Sequence, residues 1–175
     1  MTDIEFTRID RDLVLEAKAV LDLCRGLGLR IVTAESCTGG LVAAVLTEAP
    51  GSSETVEGGF VTYSNDAKHS AIGVPEALIE AHGAVSEPVA RAMAEGALAH
   101  SLADVAVAIT GVAGPGGGSE AKPVGLVHFA AARRGVATLH VERRFGDIGR
   151  GVIRRRSVEQ ALDLIAEIAR QPLVA

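Results

Sequence analysis

Ser36 stands in the segment Ala34-Glu35-Ser36-Cys37-Thr38-Gly39-Gly40, where a strand should end and a helix begin. In open α/β sheets, ligands bind at the carboxyl ends of strands. A helix start there offers unpaired N–H groups and the positive end of a dipole. Ser36 is therefore a candidate nucleophile. The N–H groups of Cys37, Thr38 and Gly39 are candidate donors to an oxyanion or a phosphate, and Gly40 keeps the backbone open to a ligand. Taken alone, the segment reads more readily as a Ser/Thr helix cap. It is not a G-x-S-x-G elbow. Cys37, with His69 as base, is a rival nucleophile and the weaker one, because cysteines are commonly buried small hydrophobes.

A second segment, Val61-Thr62-Tyr63-Ser64-Asn65-Asp66-Ala67-Lys68, brings a lysine into the turn or helix after another strand. Lysine acts as a base only when desolvation or a nearby cation lowers its pKa. Tyr63 can orient a nucleophile, pass a proton or contact a flat ring. Alone, the pair reads as a solvated lysine and a core tyrosine.

The third segment, Ile109-Thr110-Gly111 through Gly118 to Pro123, is a glycine-rich loop after an apolar strand. No helix follows its loose G-x-G-x-x-A match, and it lacks Gly-Lys-Ser/Thr, so neither a dinucleotide fingerprint nor a P-loop is present. It can wrap a phosphate or close over a site. The fourth, Phe145-Gly146-Asp147-Ile148-Gly149-Arg150, places Arg150 before the last helix, where it can grip a phosphate or carboxylate. The five histidines lack metal-ligand spacing, so no metal site is expected.

These residues need strands and helices to carry them. Helical spacing is expected over Asp10–Leu27, Thr38–Glu48, Pro75–His82, Ser86–His100 and within Asp147–Arg170. Strands are expected over Arg30–Glu35, Gly58–Ser64, Asp104–Ile109, Val124–Ala132 and Val136–Phe145, the last two joined as a hairpin by Arg133-Arg134-Gly135. Ser86 is the expected N-cap of its helix. The alternation gives an α/β class: one domain over residues 10–170, a three-layer sandwich with a mixed, mostly parallel sheet and helices on both faces.

Composition narrows the function. Glycine supplies 20 of 175 residues, while aromatics are 3%, with no tryptophan and one tyrosine. Single-stranded nucleic acid is usually gripped by several stacked aromatics, and the net charge of −5 disfavours phosphate-backbone binding, so no direct nucleic acid partner is expected. The nine arginines from Val124 onward make a basic third that reads as a solvated helix face or, for some, an anion site. Cys24 and Cys37 cannot build a disulfide framework. The charged start MTDIEFTRIDRD has no apolar core of a signal peptide, and no apolar run is long enough to span a membrane. A cytoplasmic protein without membrane contact is expected.

The segments TAESCTGG, GGFVTYSNDAKHSAIGVP, AITGVAGPGGGSEAKPVG and FGDIGR together resemble the CinA C-terminal domain family, over about Ala17 to Ala169. The resemblance implies nicotinamide-nucleotide amidohydrolase activity: nicotinamide mononucleotide and water give nicotinate mononucleotide and ammonia, in pyridine nucleotide salvage. It implies Ser36 as nucleophile, Lys68 as its base partner and Tyr63 among the catalytic residues. Thr110, Gly111 and Arg150 match residues that support catalysis or substrate binding, as do Cys37, Thr38, Gly39 and Gly40 beside the nucleophile. No cofactor and no metal are implied, and a homo-oligomer is. Longer members carry a domain resembling molybdopterin-binding proteins, whose separate activity is not expected from these residues. The family often reads Gly-Asp-Arg where this chain has Gly-Asp-Ile-Gly-Arg. The alternative is a non-catalytic nucleotide-binding or regulatory protein of competence or the DNA-damage response.

Overall fold

The computed structural model describes residues 9–173. The expectation about a signal peptide falls largely on residues 1–8, outside the described residues. The elements run α1 (Arg11–Gly26), β1 (Ile31–Glu35), α2 (Leu41–Glu48), a 3₁₀ turn (Ser52–Glu54), β2 (Val56–Val61), α3 (Asn65–Ile72), α4 (Glu76–His82), α5 (Glu87–Ala99), β3 (Val105–Gly111), β4 (Leu126–Arg133), β5 (Val136–Arg144) and α6 (Arg150–Arg170).

The five strands form one mixed sheet in the order β2-β1-β3-β4-β5. β1 pairs in parallel with both β2 and β3, while β4 runs antiparallel to β3 and to β5. Four strands therefore share one direction, yet only half of the ladders are parallel. The hairpin at Arg133-Arg134-Gly135 is formed, with Arg133 opposite Val136.

Strand alternation feeds two cores. Val105, Val107 and Ile109 join Val127 and Phe129 under α1, α2 and α6. Ala106 and Ala108 join Ala130 and Ala132 under α5, with Ile72 and Ile79 from α3 and α4. Helices cover both faces, which gives the expected three layers. Small residues on the second face let α5 sit close. Its Gly96 faces α3: a Cβ there would lie 2.0 Å from the Ile72 carbonyl oxygen. That close approach fixes the last turn of α3 and, one turn back on the same face, the buried Lys68.

Three local expectations change. α2 begins at Leu41, not Thr38, because Gly39 and Gly40 have φ of 60° and 97° and interrupt helical geometry. β2 ends at Val61, short of the expected Ser64, and of the turn or helix expected next a full helix α3 forms. Ser86 is the residue before α5, but its hydroxyl donates to the Gly83 carbonyl rather than capping the helix.

The basic third is also redistributed. Arg133 donates to the carbonyls of Ile168, Ala169 and Gln171 at the end of α6. Arg134 donates to Leu98, Ser101 and Ala103 carbonyls at and beyond the end of α5. One hairpin thus closes a helix terminus on each face, satisfying carbonyls that a helix leaves unpaired. Among the described residues, no helix is long and apolar enough to cross a membrane.

Candidate active site

β1 is the middle of the parallel part of the sheet, and Ser36 is the first residue beyond it. The Ser36 N–H still donates to the Ile109 carbonyl of β3 (3.0 Å), so the serine backbone is anchored to the sheet. Gly39 N–H then donates to the Ser36 carbonyl (3.0 Å) and Leu41 N–H to the Thr38 carbonyl (3.1 Å), forming a tight turn before α2. Among the described residues, the N–H groups of Cys37 and Thr38 have no acceptor. Of the two residues, Cys37 lines the cleft and Thr38 is fully buried, so the Cys37 amide, and not that of Gly39, is the candidate oxyanion donor. Thr38 is fully buried, side chain and backbone alike, with an unpartnered hydroxyl, so the expectation that it touches substrate does not fit this structure. Gly40 lies behind the turn, its N–H turned to Glu35.

Lys68 reaches the serine from α3. Side chains on a helix lean toward its N-terminus, and Lys68 leans back across the first turn, which Ser64 caps by accepting from Ala67 N–H. Its Nζ lies 3.1 Å from Ser36 Oγ and 2.9 Å from the Thr62 carbonyl oxygen. The side chain is 1% exposed. No carboxylate pairs with it among the described residues, and burial lowers its pKa from the ordinary 10.5. Desolvation disfavours the ammonium, and the opposing influence of the neighbouring Cys37 thiol is smaller. A neutral amine can point its lone pair at the serine hydroxyl while donating to Thr62. The expectation of a solvated lysine is therefore wrong here.

Cys37 is buried, and burial pushes its thiol up to about 12, so a thiolate is disfavoured. His69 Nδ1 donates to the Val74 carbonyl at the end of α3 and is spoken for. The cysteine–histidine alternative has no geometric support.

An open cleft of about 250 Å³ lies over the serine, lined by Ser36, Cys37, Tyr63, Val85, Arg150 and the loop from Gly111 to Gly117. Tyr63 is 62% exposed, so it is not a core residue. Its hydroxyl is 3.4 Å from Arg150, and no hydrogen bond joins it to Ser36 or Lys68. Arg150 is the first residue of α6 and also donates to the Gly114 carbonyl (2.9 Å), so the Ile148-Gly149 insertion still delivers it to the cleft. Thr110 is buried, and its hydroxyl donates to the Ala84 carbonyl (2.8 Å), next to the cleft residue Val85. Gly111 lines the cleft, while Thr110 supports it from behind.

Two residues had no assigned role in the sequence reading, Arg154 standing there only in a triplet of arginines divided between solvent, partner surface and site. Arg154, one turn after Arg150 on α6, donates to the Thr38 carbonyl (2.8 Å) and braces the turn. Glu35 is fully buried and accepts from the N–H groups of Gly40, Val42 and Ala43. An acid just ahead of a helix start was the available signal. Among the described residues, no group of three or more His, Cys, Asp or Glu is placed to hold a metal ion.

The CinA C-terminal domain family matches residues 15–169. A CinA-like protein of Mycolicibacterium paratuberculosis is 54% identical over 149 residues, covering 81% of this chain and 33% of that protein. A CinA-like protein of Gloeobacter violaceus is 51% identical over 157 residues, 89% of this chain and 36% of that protein. The chain thus spans about a third of the length of the curated relatives it matches. The crystal structure of competence/damage inducible protein CihA from Agrobacterium tumefaciens is similar with a TM-score of 0.90 and 49% identity, covering 95% of this chain and 100% of that one. A CinA superfamily structure from Escherichia coli gives 0.84 and 32%, over 94% and 95% of the two chains.

Proposed function

Because this chain belongs to the CinA C-terminal domain family, we propose that it hydrolyses the carboxamide of nicotinamide mononucleotide, giving nicotinate mononucleotide and ammonia. One observation carries the reading: a fully buried lysine amine without a carboxylate partner, 3.1 Å from a serine oxygen at a strand end.

The chemistry follows from that pair. Neutral Lys68 takes the Ser36 proton as the oxygen attacks the carboxamide carbon. The N–H group of Cys37, at the cleft wall, receives the developing oxyanion. The Lys68 ammonium returns the proton to the leaving nitrogen, and ammonia departs, leaving an ester on Ser36. Lys68, neutral again, deprotonates a water that attacks the ester. The serine leaves as its alcohol and the product is a carboxylate. Arg150 has donors left beyond its bonds to Gly114 and Tyr63, and with the glycine-rich loop it takes the phosphate of the nucleotide. Tyr63 shapes the rim beside Arg150. No step uses a metal.

Ammonia release from pure protein and nicotinamide mononucleotide tests this reading. Release by the wild type is expected, and release that survives chelation of metals. No release at high enzyme concentration refutes the function. The names of the relatives, competence- or damage-inducible, favour one rival, a non-catalytic nucleotide-binding regulator; binding without ammonia would be its signature. The same reading places the protein in the cytoplasm as a homodimer over the single domain 10–170. A monomeric mass by light scattering contradicts the dimer.

A further inference from the structure

Glu35 ends the central strand β1, is 0% exposed, and has no Lys, Arg or His within salt-bridge distance among the described residues. A buried carboxylate without a cation is costly unless other groups hold its charge. Here the start of α2 does so. Oε1 accepts from Ala43 N–H (2.8 Å), and Oε2 accepts from Gly40 N–H (3.1 Å) and Val42 N–H (3.0 Å). Gly40, the residue before α2, provides no side-chain cap. The helix is capped from beneath by a residue that precedes the turn.

The backbone of the same residue ties the two halves of the catalytic pair. The Glu35 carbonyl accepts from Thr62 N–H (2.8 Å), and the Thr62 carbonyl accepts from Lys68 Nζ (2.9 Å). Glu35 therefore touches neither the substrate nor the reacting atoms, yet it fixes both ends of the five-residue turn that carries Ser36. With the helix start already filled by this internal anion, the unpartnered amide that remains at the cleft wall is that of Cys37.

We propose that Glu35 is a positioning residue: its carboxylate serves as a built-in anion at the start of α2 and holds the Ser36–Gly40 turn so that Ser36 Oγ and the Cys37 amide face one reacting carbonyl. The same occupancy excludes a substrate anion from α2 and leaves phosphate recognition to the opposite wall of the cleft. The proposal rests on Ser36 being the nucleophile.

Two variants test it. Glu35→Gln keeps the shape but turns one acceptor into an NH₂ donor that faces an N–H. It should lower kcat by ~10²-fold, as loss of oxyanion geometry does, and leave KM within ~3-fold. The rate of Ser36 labelling by a fluorophosphonate should fall in parallel. Glu35→Ala removes a fragment with the composition of acetate. Added acetate should then restore kcat and labelling in a saturable way by ~10-fold or more, without effect on wild type. Wild-type kcat and labelling in Glu35→Gln overturn the proposal, as does a loss confined to KM. Should Glu35→Ala fail to fold, the isosteric Glu35→Gln, checked by circular dichroism, decides alone. A wild type that labels at Ser36 but releases no ammonia from nicotinamide mononucleotide refutes the proposed substrate and leaves this test intact.

Discussion

The cleft has two walls built on opposite logic. At the end of β1, the charged side chains are drawn inward and engaged: Glu35 holds α2, Lys68 sits on Ser36 and Thr62, and Arg154 braces the Thr38 carbonyl. At the end of β3, the chain runs into an exposed glycine-rich loop, held to the rest of the cleft by Arg150 at Gly114 and by Lys122 at the His82 carbonyl. A buried wall can keep an amine neutral and a serine oriented. An exposed loop with free N–H groups can adjust to a charged ligand but cannot desolvate a base. The division predicts that β1-side changes act on kcat and loop-side changes act on KM.

The largest effect should come from Ser36→Ala, which should cut kcat by ~10³-fold or more with the fold intact. Cys37→Ala should stay within ~10-fold, because its thiol is a poor nucleophile at a pKa near 12. Steady-state ammonia release measures both, and full activity in Ser36→Ala breaks the comparison at its root.

Lys68→Met should lose kcat on a similar scale, ~10³-fold, by removing the base. It also has a stability signature. The native state lowers the pKa of Lys68 below 10.5, so between the two values the unfolded chain binds more protons. Stability from this group therefore rises with pH through the lowered pKa. Near pH 9 the unfolded cysteines begin to titrate, while burial holds native Cys24 at about 11 and Cys37 at about 12. Their contribution has the opposite sign, being present below that pH and lost above it. Urea unfolding should therefore show wild type gaining stability relative to Lys68→Met as pH rises toward 10.5, the cysteine contribution being common to both.

Arg150→Ala should raise KM by ~10-fold or more, as loss of a charge-assisted phosphate contact does, with a smaller change in kcat. An equal fall in kcat at unchanged KM would move Arg150 to the chemical wall. Arg134→Ala lies on neither wall. It should cost about 1–2 kcal/mol of stability by freeing carbonyls at and beyond the end of α5, with kcat/KM unchanged. The smallest effect expected is Tyr63→Phe, about 2–5-fold in kcat/KM, because its hydroxyl contacts Arg150 and not the serine. A far larger loss would return Tyr63 to the proton path.

Much of this was legible in the chain. The uncharged run of β3, the Ser86-Glu87-Pro88 opening of α5 and the hairpin at Arg133-Arg134-Gly135 are local signals, and each element formed where they point. α3 was not legible as a helix because only Lys68 and Ile72 of its eight residues are buried, too few for an apolar period. The start of α2 was misplaced because two left-handed glycines cannot be told from helical ones by residue type. Ser36 and Lys68 were found as types in motifs. Their contact spans 32 residues and exists only after β1 and α3 meet. Glu35, Thr110 and Arg154 act through backbone groups they reach only in the fold, so their partners could not be read from the chain even where, as for Glu35, a local signal existed.

The central claim is that a neutral buried lysine activates Ser36. The most direct measurement is the pH dependence of Ser36 acylation by a fluorophosphonate, in wild type and in Lys68→Met. The rate should rise with pH to a plateau with a midpoint clearly below 10.5 in wild type, and that limb should vanish with Lys68. A midpoint at 10.5 or above, or the same limb in Lys68→Met, would contradict the claim.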